Sequence, residues 1–412
     1  MEYNTPKGMR DFLPDEMGRR ERAVEAIRKV YRRYGFLPME TPALESVDVL
    51  ERKCGDEIKG QLYRIDDGKL ALRFDLTVPL ARVASSNTFK KPFKRYCISP
   101  VWRREEPQKG RFREFLQADA DIIGCPTMRA EAELLSCASE AISALGFSGA
   151  TIRLNDRRII AKIAEGLLPG KEGEVLRILD KREKIGNEPT VGMLVDAGAD
   201  QNEAQTLIAE ISKEDSNQNK LRIAAKYSPE AFEGLREIIA LVGECGIKAT
   251  LEIDFSLVRG LGYYTGPIFE ISLGKEMGSV AGGGRYDGLL ALYGQGDSAV
   301  GISLGIERLL ALKEKEGAEK KGVFVACVKD GFYPYALRVA SELRRLGVSA
   351  QTDLNGRNLK KQMEYAAGSC KYIAIVGERE EKGKKVTLRD LGSGKEELVS
   401  VKDAASAVLK SG

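Results

Sequence analysis

VWRREEPQKGRFREFLQAD, residues 101–119, reads as two strands folded back on each other across a charged loop. The stretch 95–103 has strand composition, Pro107 and Gly110 mark the loop, and 111–123 supplies the returning strand. Strands joined this closely run antiparallel, because a parallel pair needs a crossover of about a dozen residues or more. Upstream, Gln61–Ile65 and Leu70–Phe74 flank Asp67 and Gly68, a second hairpin signal. A doubly wound parallel sheet is thereby set aside. The reading predicts an α+β fold built on an antiparallel sheet.

Working outward, residues 14–34 carry Val24, Ile27, Tyr31 and Tyr34 at helical spacing, with Pro14 at the start and Gly35 as the stop. Helical periodicity resumes over 127–145. From 157 to 243 every periodic run is helical, and β-rich, glycine-rich sequence returns at 248–288. This pattern predicts a body formed by 1–156 and 244–318, interrupted by a helical insertion at 157–243. A helix beginning near Gly305 leads into a hydrophilic linker at 312–322. Residues 322–412 then alternate strand and helix, which predicts a separate small α/β domain ending in a hairpin and a helix.

Composition narrows the chemistry. The chain has 412 residues, no apolar run of membrane-spanning length and no apolar leader at its start, so a cytoplasmic protein without a membrane span is expected. Seven cysteines without a CxxC pair fit a reducing compartment and argue against a zinc site, and no protein-held metal is expected. Residues 320–412 hold 18 Lys/Arg against 11 Asp/Glu within a chain of net charge +4, so the basic charge gathers in the terminal domain. Such a domain suits a phosphate backbone or simply a solvated surface. There is no histidine at all. That removes the commonest general base, and with it every Ser-His-Asp or Cys-His site.

No GxxxxGK[ST] loop is present, and AGGGRYDG (281–288) does not fit GxGxxG. Arginines do recur on strand-like segments beside glycine or aromatic residues, in VWRREEPQKGRFREF, LVRGLGYYTG, GGGRYDG and GISLGIERLL. A single arginine in an apolar strand is usually a buried ion pair. Four of them favour a cavity that holds phosphate.

At these residues the chain resembles a known family. GISLGIER (301–308) resembles motif 3 of the class II aminoacyl-tRNA synthetases, VWRRE with FLQAD resembles motif 2, and GFLPMETPALE (35–45) resembles motif 1. LVRGLGYYTG (257–266) and AGGGRYDGLL (281–290) resemble the two histidine-binding motifs of histidyl-tRNA synthetases. LRFDLTVPLAR (72–82) resembles a segment of the archaeal and eukaryotic members. The resemblance implies a class II antiparallel-sheet catalytic domain with a helical insertion, a C-terminal anticodon-binding domain, and a homodimer. The reaction implied is activation of L-histidine with ATP and transfer to tRNA(His), with Mg2+ on the ATP phosphates.

By the same resemblance, Arg103 binds the α-phosphate and the amino-acid carboxylate, Arg259 reaches the α-phosphate, and Arg308 binds the γ-phosphate. Glu105 and Phe115 recognise adenine, and Arg111 takes the β- and γ-phosphates. Asp75, Thr77 and Gln117 receive the α-amino group. Asp121 and Tyr264 receive the imidazole, with Tyr263 and Tyr286 lining the pocket. Taken by pattern alone, Tyr263 and Tyr264 read as core aromatics, Gly282–Gly284 as a bulge, and Asp75 as a turn cap. One departure stands out: Gly262 occupies a position where many members have Asp, in RGLDYY. A non-enzymatic relative, the regulatory subunit of ATP phosphoribosyltransferase, shares the catalytic fold but usually lacks the terminal domain and loses motif arginines. Arg103, Arg259, Arg308 and the 322–412 domain set this chain apart from it.

Overall fold

The computed structural model describes residues 3–52, 56–108, 110–212, 215–258, 263–274, 278–294, 296–313 and 322–410. Two compact units divide the chain, Met1–Glu314 and Lys315–Gly412.

The first unit is organised by an eight-stranded sheet. Its strands are β1 (Leu37–Pro38), β2 (Phe93–Trp102), β3 (Glu114–Ile123), β4 (Thr151–Asp156), β5 (Thr250–Ile253), β6 (Pro267–Ser272), β7 (Ser279–Arg285) and β8 (Ala299–Gly305). They lie in the order β1-β2-β3-β8-β7-β6-β4-β5. Every pairing is antiparallel except the two outermost, β1 with β2 and β4 with β5. The opening stretch forms the long β2–β3 hairpin, with Arg95 opposite Asp121 and Val101 opposite Phe115. The returning strand begins at Glu114, three residues later than 111. Before it, Arg111 is held in a tight bridge to Gln108.

Side chains alternate across β3. Leu116, Ala118, Ala120 and Ile122 enter the main apolar core. Helix Pro14–Arg33 covers that face. Asp15 and Glu16 in its first turn and Arg32 and Arg33 in its last complement the helix dipole. Its buried Ala23, Ile27, Val30 and Tyr31 meet the sheet, and the Tyr31 hydroxyl donates to the Ala118 carbonyl at 2.9 Å. Helix Arg129–Ala144 packs beside it. Six described helices fill 157–244, from Arg157–Leu167 to Pro229–Glu244, and their apolar faces join the same core. With helices massed on one face, Phe115, Gln117, Asp119 and Asp121 are left on the other.

The second hairpin is shorter than the sequence suggests. Arg64–Ile65 pairs with Leu70–Leu72, while Gln61 closes a helix over Asp56–Gln61. Asp66, Asp67 and Gly68 all take positive φ, so the turn coils into a 3-10 segment and consumes the expected strand ends. Leu44–Ser46 adds a third strand.

The terminal unit has strands β9 (Val323–Cys327), β10 (Ala350–Thr352), β11 (Tyr372–Val376), β12 (Lys385–Asp390) and β13 (Glu396–Ser400), in the order β10-β9-β11-β12-β13. Its core is separate from that of the first unit. The short helix Glu378–Gly383, with three glutamates in its first turn, is not foreshadowed by hydrophobic periodicity.

Candidate active site

The open face of the sheet carries a small cavity of about 150 Å³, lined by Asp75, Thr77, Gln117, Asp119, Asp121, Tyr263, Tyr264 and Tyr286. Its floor is backbone, from Gly282 and Gly283 on β7 and Gly301 on β8. At Gly283 and Gly301 there is no room for a side chain. A Cβ on Gly301 would fall 2.0 Å from Asp121 Oδ1, and one on Gly284 would meet Tyr264 at 3.0 Å. The glycine run is a regular strand; the irregularity in register falls just before it, between Ser279 and Ala281.

Asp121 is held from two sides. Its Oδ1 accepts from the Tyr286 hydroxyl at 2.6 Å. Its Oδ2 lies 3.0 Å from Nη2 of the buried Arg95, at ion-pair distance but off the hydrogen-bonding direction. Gln117 Nε2 donates to Ser303 Oγ at 2.8 Å. Buried polar atoms are left over: Gln117 Oε1 and Asp119 Oδ1 have no hydrogen-bond partner among the described residues. Burial raises all three carboxyls. Asp75 is pushed up to about 6, with backbone bonds from Val78 and the charge of Arg103 pulling the other way. Asp119 is raised by burial and then by the charge of Asp121, and Arg95 opposes both. Asp121 is raised by burial against the pull of Arg95 and Tyr286. Three crowded acids with one buried guanidinium make a cavity that favours a cation.

Asp75 does two things. Its Oδ1 caps the helix Thr77–Ser86 by accepting from Val78 N at 3.0 Å, and the residue still lines the cavity. The cap reading and the ligand reading are compatible.

A larger cavity of about 280 Å³ adjoins the small one, lined among others by Arg103, Glu105, Arg111, Phe115, Glu270 and Arg308. Arg103, Gln117, Gly282 and Ser303 line both. Arg103 is fixed by its Nε, which donates to the Phe74 carbonyl at 2.9 Å, and its guanidinium lies 5.2 Å from the Phe115 ring centroid. Glu105 and Arg111 stand 3.9 Å apart across the loop. Arg308, in the first turn of helix Ile306–Leu312, donates to the Ser279 carbonyl. Oriented guanidinium groups around a void suit phosphate.

Of the thirteen residues singled out from the sequence, twelve line these two cavities; the remaining one, Arg259, lies outside the described residues, as does Gly262. One of the four arginine segments needs correction. Arg285 of GGGRYDG holds no phosphate site: its Nε and Nη2 grip both oxygens of buried Glu131 at 2.7 Å, and it also donates to the Cys125 and Thr127 carbonyls. It is the ordinary buried ion pair. Sequence reading also passed over Asp119, Ser303 and Arg95. The signal for Asp119 was its place two residues from both Gln117 and Asp121, hence on their face of the strand.

An acid-lined cavity opening past one arginine onto an arginine-lined cavity suits an enzyme that joins an amino acid to a nucleotide. That is the chemistry of the aminoacyl-tRNA synthetases. The family model for histidyl-tRNA synthetase matches residues 8–309, and one for an anticodon-binding domain matches residues 322–411. The histidine–tRNA ligase of Korarchaeum cryptofilum is 40% identical over 408 residues, covering 94% of each chain. That of Aeropyrum pernix is 39% identical, covering 98% of this chain and 97% of its own. The crystal structure of histidyl-tRNA synthetase from Nostoc sp. PCC 7120 superposes with a TM-score of 0.87 at 29% identity, covering 100% of this chain and 99% of the other. The chain belongs to the histidyl-tRNA synthetase family. It is an ATP-dependent ligase that attaches histidine to its tRNA. No helix among the described residues is long and apolar enough to cross a membrane.

Proposed function

We propose that the small cavity binds L-histidine, the larger one binds ATP with its Mg2+, and Arg103 joins the two reacting groups. The observation that carries this reading is that Arg103 lines both cavities while its Nε is tied to the Phe74 carbonyl. A guanidinium so placed reaches the histidine carboxylate and the α-phosphate together.

The attack is then a matter of position and charge. The carboxylate oxygen bonds to the α-phosphorus, the bond to the bridging oxygen of the β-phosphate breaks, and pyrophosphate leaves. The nucleophile is already ionised, so no proton has to be removed and a chain without histidine loses nothing. Arg308 and Arg111 neutralise the leaving phosphates, Phe115 stacks on the adenine, and Glu105 accepts from its amino group. Arg259, assigned by family resemblance, joins Arg103 at the α-phosphate.

In the small cavity, Asp75, Thr77 and Gln117 receive the α-ammonium. Asp121 and Tyr264 receive the two imidazole nitrogens, with Tyr263 and Tyr286 closing the walls. An amino acid lacking those nitrogens leaves buried carboxylate and hydroxyl groups unpaired, which supports selection without an editing site. The unit at 322–412 recognises tRNA(His), and the enzyme works as a homodimer in the cytoplasm. Amino-acid-dependent exchange of pyrophosphate into ATP tests the specificity. Exchange driven by histidine alone is expected; exchange driven equally by other amino acids and not by histidine refutes it.

A further inference from the structure

The N-terminal segment runs along the loop between β2 and β3. The Gly8 carbonyl accepts from Arg113 N at 2.8 Å, and Lys7 pairs with Glu106 at 2.8 Å. Gly8 has φ +81°, and a Cβ there would meet Arg113 and Pro107 side-chain carbons at 2.8 Å. The segment is therefore seated against the loop backbone, with no room for a side chain between them.

Beyond Gly8 the contacts form a ring. The Arg10 guanidinium lies over two rings, 4.1 Å from the Phe112 centroid and 4.5 Å from that of Phe12. Arg20, from helix Pro14–Arg33, covers Phe12 at 4.2 Å. Arg20 Nη2 lies 2.9 Å from Oε1 of the buried Glu307, and Glu307 Oε2 accepts from Leu116 N at 2.8 Å. The ring thus leaves the hairpin at Phe112 and returns to it four residues later at Leu116. Phe115, the proposed adenine platform, lies between those two points, and Arg111 directly precedes them. Phe112 and Glu307 border the larger cavity, whereas Arg10, Phe12 and Arg20 do not.

We infer that Arg10, Phe12 and Arg20 are positioning residues that clamp the returning arm of the hairpin, through Phe112 at one end and Glu307 at the other, and so set the affinity for the nucleotide. The inference rests on the reading that the larger cavity holds ATP. Guanidinium groups set alternately with aromatic rings suit the task, because each contact is attractive and survives at a partly exposed site.

The test is pyrophosphate exchange by the full chain, varying ATP and histidine separately, for Phe12→Leu, Phe12→Tyr, Arg10→Met and Phe115→Ala. Phe12→Leu keeps apolar bulk but removes the ring face; about a tenfold rise in KM for ATP is expected, with KM for histidine changed less than about twofold. Phe12→Tyr restores the face and the wild-type KM. Arg10→Met repeats the loss of Phe12→Leu at a partly exposed position, should Phe12→Leu fold poorly. If ATP KM stays at the wild-type value in both variants while Phe115→Ala raises it, the clamp is refuted and the cavity assignment stands. If Phe115→Ala also leaves it unchanged, the cavity assignment falls and the clamp with it. An equal rise in both KM values marks a general loss of structure and overturns the clamp.

Discussion

Gly301 stands directly opposite Asp121 across β8 and β3, and the Asp121 carboxylate lies where a Cβ at 301 would be, 2.0 Å from Oδ1. The absence of a side chain on one strand is what admits the buried acid of the next. Gly301→Ala must displace Asp121 from Tyr286 and Arg95, both of which are themselves buried. Losing a charge-assisted hydrogen bond to the substrate predicts a rise of about 10- to 100-fold in KM for histidine. KM for ATP and the circular dichroism spectrum should change little. Wild-type histidine KM in this variant contradicts the placement of the imidazole beside Asp121.

Asp119 predicts a pH signature in stability. Its carboxyl is raised in the folded state by burial and by Asp121, while in the unfolded chain it titrates in the ordinary carboxylate range. The folded protein therefore binds the proton more tightly than the unfolded chain. Its cost is absent where both states are protonated, grows as pH rises above the unfolded value, and is complete above the folded one. Asp119→Asn removes that cost. The variant should gain thermal stability over wild type at pH 8 and gain less, or nothing, at pH 5. Melting curves without ligand at the two pH values check this, and a gain that is larger at pH 5 rules out the burial argument.

How far the sequence reveals such features depends on how far apart the partners are. The β2–β3 hairpin was legible because its two strands, its proline and its glycine lie within one short stretch. The face shared by Phe115, Gln117 and Asp121 follows from alternation alone. Arg103 and Arg285 could not be told apart in the same way. Each is an arginine on or next to a strand, beside aromatic or glycine neighbours, and what separates them is Glu131, 154 residues from Arg285 on a helix. Arg95 was missed for a related reason. Its pairing with Asp121 depends on strand register, and register depends on where the loop ends, which Arg111 changes by bridging to Gln108. Ring contacts from Arg10 to Leu116 involve no periodic pattern, so only the fold brings them together.

The Arg285–Glu131 pair predicts a loss of stability with little loss of substrate affinity. Both groups are buried, Glu131 at 0% exposure, so Glu131→Ala strands a guanidinium with only the Cys125 and Thr127 carbonyls and the flanking Asp287. Breaking a buried pair from one side costs about 3–5 kcal/mol, whereas replacing both partners by apolar groups of similar volume is often neutral. Glu131→Ala should shift the urea midpoint strongly downward, and Glu131→Leu with Arg285→Met should recover most of the shift. KM for ATP and histidine in the folded fraction should stay near wild type. A large rise in ATP KM would instead return Arg285 to the phosphate site.

Removing the terminal unit separates the two half-reactions. Lys315–Gly412 forms its own compact unit with its own apolar core, and residues 322–411 match the anticodon-binding family. Both proposed substrate cavities are lined entirely by residues of the first unit. Deletion of 322–412 is therefore expected to preserve histidine-dependent pyrophosphate exchange. Two linked contact regions on one tRNA raise apparent affinity by about 10²- to 10⁴-fold over either alone, so kcat/KM for tRNA should fall by about 10²-fold or more. The net positive charge of 320–412 adds that the intact enzyme, more than the truncated one, should lose tRNA affinity as salt rises. Charging of tRNA at the full rate by the truncated chain contradicts the proposed role of the domain. Loss of exchange together with charging shows instead that the first unit depends on the second to fold.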